Sequence, residues 1–401
     1  MTMFRKIVLL SLCALGACRG ASPSAQTVDQ QHLQEMVQSL LPAVSKAVGL
    51  TFKSTPKSAI RSRAQIHDYL IAKMARELPD ARVQGVTDVY QLLDMLPDSI
   101  DLRQLFVDLY TEQIAGFYDP DSTTFYAVEG GDPALLRVTL AHELVHALQH
   151  QYMPIDSILK DASDGDRQAA AQAILEGQAT LASLVAVVPG IDVMSDQFWE
   201  TIRQSLKAQQ TGTTVYARAP MVIRESLTFP YTAGADFMRW FDKNHPGQVP
   251  FGPLLPKSTE QILHPDRYAR GDQPLSVRFT GDSTGVLFED TFGEFDIDLL
   301  RAALTHATEP VTDPALGWGG DRLRVYTTPA GPALVWYTVW DTQPDADRFR
   351  NTIATALAAH PHAGDRTAVE ALTLGGHLAV RVTVAPPVWA SWSHLPGVEV
   401  R

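Results

Sequence analysis

The stretch Leu140-Ala141-His142-Glu143-Leu144-Val145-His146-Ala147-Leu148-Gln149 decides how the rest of the chain is read. Asp132-Pro133 supplies an N-cap and a proline at the first helical position, and Ala134, Leu135, Val138, Ala141, Leu144, Val145 and Leu148 recur at helical spacing. The run is therefore expected to be a helix, in which His142 and His146 stand about 40° apart around the axis and roughly 6 Å along it. Both imidazoles can then reach one metal ion, and Glu143, beside them, can take a proton from a water held by that ion. A third protein ligand has to come from elsewhere in the chain.

Composition bounds the alternatives. The chain has 401 residues, 45% hydrophobic and 19% charged, and a net charge of −12. That is ordinary for a globular protein, long enough for two domains, and it argues against a nucleic-acid partner or a basic surface for anionic lipid. A membrane contact is expected instead at the N-terminus. Arg5 and Lys6 precede an apolar run, 7–14, too short to span a bilayer, and Leu15-Gly16-Ala17-Cys18 resembles a bacterial lipobox. The expected layout is a signal peptide over 1–17 and a lipidated Cys18 with a small, polar tether over 18–30, placing the protein in the bacterial cell envelope. Arg19, where an aspartate would favour inner-membrane retention, points to the outer membrane. With Cys13 removed and Cys18 consumed, no thiolate remains, so any metal site must use histidine and carboxylate.

In chain order, 28–48, 64–78 and 101–114 read as packing helices. The segment 51–63 has room for a short strand. Residues 115–128 read as a β-hairpin closed by Asp119-Pro120-Asp121-Ser122, with a free edge open to an extended peptide. His150 continues the i+4 series but lies about 12 Å along the helix from His142, too far for a shared ion. A third histidine six residues after the motif is ruled out by Gln149 and Tyr152, which stand where glycine and histidine are needed. Glu176 is the better candidate. It sits in a second helical stretch, 164–187, where Ala169, Ala170, Ala171, Ala173, Gly177 and Ala179 allow close helix approach. Thr180, one turn on, is placed to hydrogen-bond a ligand. Asp161, Asp164 and Asp166 are rivals near the helix start, and a plain solvated carboxylate is the alternative reading of Glu176.

His142 to His146, followed by Leu175-Glu176-Gly177-Gln178-Ala179-Thr180, resembles the gluzincin class of zinc metallopeptidases. That resemblance implies one zinc ion held by His142, His146 and Glu176, with Glu143 as general base and a peptide or protein substrate. Phe229-Pro230-Tyr231-Thr232-Ala233-Gly234 is similar to a segment of gluzincin aminopeptidases whose tyrosine stabilises the oxyanion, which implies that role for Tyr231. Together with Ser258-Thr259-Glu260-Gln261-Ile262-Leu263-His264-Pro265-Asp266-Arg267-Tyr268, these motifs resemble a group of bacterial gluzincin-like lipoproteins over 115–268. Thr180 replaces the usual aspartate of the third motif, and no Gly-x-Met-Glu-Asn element is present to anchor a substrate amino terminus. His264 and Tyr268 are candidates to line the cleft, His264 as a second oxyanion donor, set against a structural role for both.

From 272 onward, glycine-rich turns separate strand-like runs at 322–328, 333–340 and 377–385, with a helix over 345–359; His360 and His362 read as loop residues. The expectation is thus an α+β protein: a mainly helical, zincin-like domain over 31–271 with a small β-sheet, and a smaller C-terminal α+β domain over 272–401. The corresponding function is a membrane-tethered zinc hydrolase, most simply a peptidase. The alternatives are a catalytically inactive binding or assembly module of the same fold and a hydrolase of non-peptide bonds.

Overall fold

The computed structural model describes residues 28–159, 164–310, 317–359 and 364–401. The expected signal peptide, Cys18, the tether up to residue 27, Asp161, His360 and His362 lie outside the described residues. The described chain is α+β, with three sheets among its helices.

The motif run forms a helix, Pro133–Tyr152, begun as expected: the Asp132 side chain accepts from the Ala134 and Leu135 amides, and Pro133 needs no donor partner. Its central turns are buried on every side, from Leu140 to Gln149. The helix Gln30–Val48, capped by Asp29, packs Leu33, Val37, Leu40 and Val44 against Leu136, Leu140, Leu144 and Val145 of the motif helix.

The hairpin forms as read. Strand β2, Gly116–Asp119, pairs antiparallel with β3, Thr124–Val128. The short strand expected in 51–63 is β1, Lys57–Arg61, and it pairs parallel with β3, so the order is β1-β3-β2 and β2 keeps an open edge.

Two further helices complete the centre. Gly165–Val187, capped by Asp164, is apolar and long enough to cross a membrane by length and composition, but its apolar window is 83% buried inside the protein. Met221–Asn244 crosses it with almost no clearance: a Cβ added at Gly177 would come within 2.3 Å of Gly234 C, and one at Gly234 within 2.0 Å of Ala173 O. The small residues of 164–187 therefore admit a third helix as well as the motif helix, a partner that spacing alone did not identify.

Beyond residue 272, β4 (Val277–Phe279) pairs with the C-terminal β10 (Val398–Val400). A five-stranded antiparallel sheet has the order β5-β6-β7-β9-β8, from Val286–Asp290, Trp318–Thr328, Gly331–Trp340, His377–Ala385 and Arg366–Leu374. Strand β7 shows the alternation of a sheet covered on both faces: Leu334, Trp336 and Trp340 join the main core, while Ala333, Val335, Tyr337 and Val339 join a second cluster with Val277 and Tyr326. The expected boundary at 271/272 is crossed by buried apolar residues. One apolar core runs from Ile66 and Phe106 through Phe229 and Tyr231 to Phe295, Trp336 and Val384.

Candidate metal centre

Three side chains converge between the motif helix and the Gly165–Val187 helix. His142 Nε2 lies 3.0 Å from Glu176 Oε2, His146 Nε2 lies 3.2 Å from the same oxygen, and the two Nε2 atoms are 3.0 Å apart. His146 and Glu176 are fully buried and His142 is 6% exposed. Glu176, expected from its place in the second helix, thus joins the histidines. Of its rivals, Asp164 caps its own helix and Asp166 accepts from the Thr259 amide. His150 faces Tyr118, its Nδ1 3.4 Å from the hydroxyl.

The three atoms form a closed triangle. Each imidazole Nε2 carries at most one hydrogen and the carboxylate oxygen none, so at most two of the three contacts can be hydrogen bonds and at least one sets like groups against each other. A divalent cation at the centre removes that conflict. Ligand atoms about 2.0–2.1 Å from a tetrahedral centre are about 3.3 Å apart, close to the spacing seen here. The second carboxylate oxygen, Glu176 Oε1, is buried with no hydrogen-bond partner, which is costly for an anion and leaves it available to a cation. The group His142, His146 and Glu176 fits a metal ion, and its chemistry, two borderline nitrogens and one hard oxygen, suits several divalent metals.

Electrostatics point the same way. Burial alone disfavours a charged His146, but the facing Glu176 carboxylate outweighs it and raises the imidazole to about 9. Burial likewise pushes Glu176 up, and the two imidazoles overcome this to hold it at about 2. Without a metal, the buried negative charge demands a positive one, and His146 supplies it.

Glu143 is fully buried next to the triad, and its Oε2 accepts a 2.8 Å hydrogen bond from the Tyr118 main-chain N–H. That amide lies on the edge of β2 turned away from β3, so the free edge expected to be open to a peptide is already engaged with Glu143 at this residue. The Tyr231 ring lies 5.9 Å from the His142 ring, tilted by 33°, beside the triad.

His264 and Tyr268 each have partners of their own. His264 turns Nε2 onto Glu294 Oε1 at 2.6 Å, and Tyr268 donates to Leu254 O at 2.8 Å while packing edge-on to Phe237; neither shares a described contact with the triad. Thr180 does not brace a ligand, because its buried hydroxyl has no partner. The bracing residue is one the motif comparison passed over: His146 Nδ1 lies 2.8 Å from Gln149 Oε1. Its signal was present in the sequence, since i+3 on a helix faces the same side.

The fold and site together define an α+β protein carrying a buried His–His–Glu group able to hold a metal ion. Residues 283–385 match the family model of a domain of unknown function, DUF8575, a match confined to the C-terminal segment. No curated protein and no solved structure matches the chain.

Proposed function

We propose that the chain is a zinc-dependent hydrolase of the gluzincin type, cleaving peptide bonds and tethered to the bacterial envelope through Cys18. The observation that carries this reading is the mutual 3.0–3.2 Å approach of His142 Nε2, His146 Nε2 and Glu176 Oε2, with the Glu143 carboxylate buried beside them. His142, His146 and Glu176 would hold the ion. A divalent ion there supplies Lewis acidity, acidifying water and polarising a carbonyl. Glu143 accepts the proton of the water whose oxygen attacks the scissile carbonyl carbon, and returns it to the amine nitrogen as the C–N bond breaks. Tyr231 donates its phenolic hydrogen to the oxyanion that develops on the carbonyl oxygen.

Metal content and peptide hydrolysis, measured on the purified chain and on Glu143→Gln, test the proposal. Both proteins are expected to hold one zinc ion, because the amide oxygen of Gln can still accept from Tyr118 N–H, and only the unsubstituted protein should cut peptides. Absence of stoichiometric metal from the unsubstituted protein would remove the reading. A second reading, a metal-binding module without catalysis, draws support from the complete burial of Glu143 and the amide capping its Oε2. It is distinguished by bound zinc without hydrolysis of any peptide.

A further inference from the structure

We infer that Gln149 is a positioning residue: its side-chain amide sets the tautomer of His146 and links that ligand to the helix carrying Glu176. The inference rests on the metal-site reading above and assigns a role to a residue outside the ligand set.

The argument follows from donors and acceptors. Gln149 is fully buried, and its Nε2 lies 3.0 Å from Leu175 O and 2.9 Å from Gln178 Oε1. A carbonyl oxygen can only accept, so the amide must present its NH2 to Leu175 and therefore its Oε1 to His146. Oε1 in turn can only accept, so the Nδ1 of His146, at 2.8 Å, carries a proton. The neutral imidazole then keeps its lone pair on Nε2, the atom that faces Glu176 and His142. Leu175 immediately precedes Glu176, so one side chain holds the ring of one ligand and the backbone next to another. The acceptor is a neutral amide rather than a carboxylate, so His146 gains orientation without an added buried negative charge beside the Glu176 carboxylate.

The test uses the full chain with zinc and with cobalt as a spectroscopic probe. Gln149→Leu keeps the approximate volume and removes both arms; Gln149→Glu keeps the acceptor for Nδ1 and loses the donor to Leu175 O. In Gln149→Leu, zinc affinity is expected to fall about 10- to 100-fold. The cobalt d–d absorption should change, and the downfield Nδ1–H proton of zinc-loaded His146 should move upfield. In Gln149→Glu the same proton should move further downfield, because a charged acceptor strengthens the bond. Unchanged zinc affinity, cobalt spectrum and proton position in Gln149→Leu overturn the inference. Should that variant fail to fold, an unmoved Nδ1–H proton in Gln149→Glu overturns it instead. An unsubstituted chain that binds neither metal brings down the metal reading, and this inference with it. The two failures are distinct, because only the second appears without any substitution.

Discussion

At the residue scale the site is governed by the buried Glu176 carboxylate and the two imidazoles that face it. Glu176 cannot be solvated, so it is neutralised by protonated His146 or by a metal ion, and these two compete. Metal uptake must expel the His146 proton. Apparent affinity should therefore rise by about tenfold per pH unit from neutrality and level off near the His146 value of about 9, as read by competition with a chromophoric chelator. A flat profile across that range would show that no proton is displaced. In the metal-free protein the ion pair also stabilises the fold. The raised His146 contributes fully below about 6.5, and this is lost as pH rises through about 9; the depressed Glu176 contributes above 4.5, and this is lost as pH falls through about 2. Zinc should remove the alkaline loss, so thermal melts of the metal-free and loaded proteins are expected to diverge most above pH 9. For Glu143→Gln, loss of the proton carrier should cut the turnover number about 10²- to 10⁴-fold with metal content unchanged.

At the scale of elements, the site depends on how closely three helices pack. The three converging side chains come from two of them, and the third, Met221–Asn244, brings Tyr231 beside His142 only because Gly177 and Gly234 leave room. Gly234→Ala would drive a methyl group into the Ala173 carbonyl, a backbone atom that cannot rotate away. A cost of about 1–3 kcal/mol or more is expected in chemical denaturation. Because the displaced helix carries Tyr231, hydrolysis should fall further than zinc binding does. Equal loss of both would mean that the helix supports the ligands rather than Tyr231. The hairpin contributes at the same scale: β2 holds the Glu143 carboxylate through the Tyr118 amide, so a strand takes part in orienting it.

At the scale of the molecule, the C-terminal segment is bound into the helical part. Phe295 stacks on Phe229, two residues before Tyr231, with ring centroids 3.9 Å apart; Asp290 accepts from the Gly165 amide at the start of the Glu176 helix; and His264 pairs with Glu294. Asp321, 3% exposed, accepts from the Phe292 and Gly293 amides and from the indoles of Trp318 and Trp336. Asp321→Ala would strand those buried donors and should cost about 3 kcal/mol or more in a denaturant melt. A chain ending at residue 271 would expose Phe229 and the rest of the shared core. It is expected to lose the cooperative thermal transition followed by circular dichroism, whereas a sharp melt would establish two independent domains.

The local part was legible in the order of the residues: the motif helix from Asp132-Pro133 and its apolar spacing, the Glu176 helix, the 116–128 hairpin and strands β6, β7 and β9 of the last sheet, though not β8. Those features repeat over neighbouring residues, with periods that backbone geometry imposes. His142, Glu143 and His146 were legible for the same reason, and Glu176 because few carboxylates lie in a stretch that permits close helix contact. The fold in three dimensions settled the rest: the parallel pairing of β1 with β3, the Tyr118 amide on Glu143, the Gln149 amide on Leu175 O, the partner of His264 and the apolar core that continues past residue 272. Each of these depends on which surfaces meet across long stretches of chain. Such meetings are settled by shape and by the pairing of buried polar groups, and neither leaves a period in the sequence.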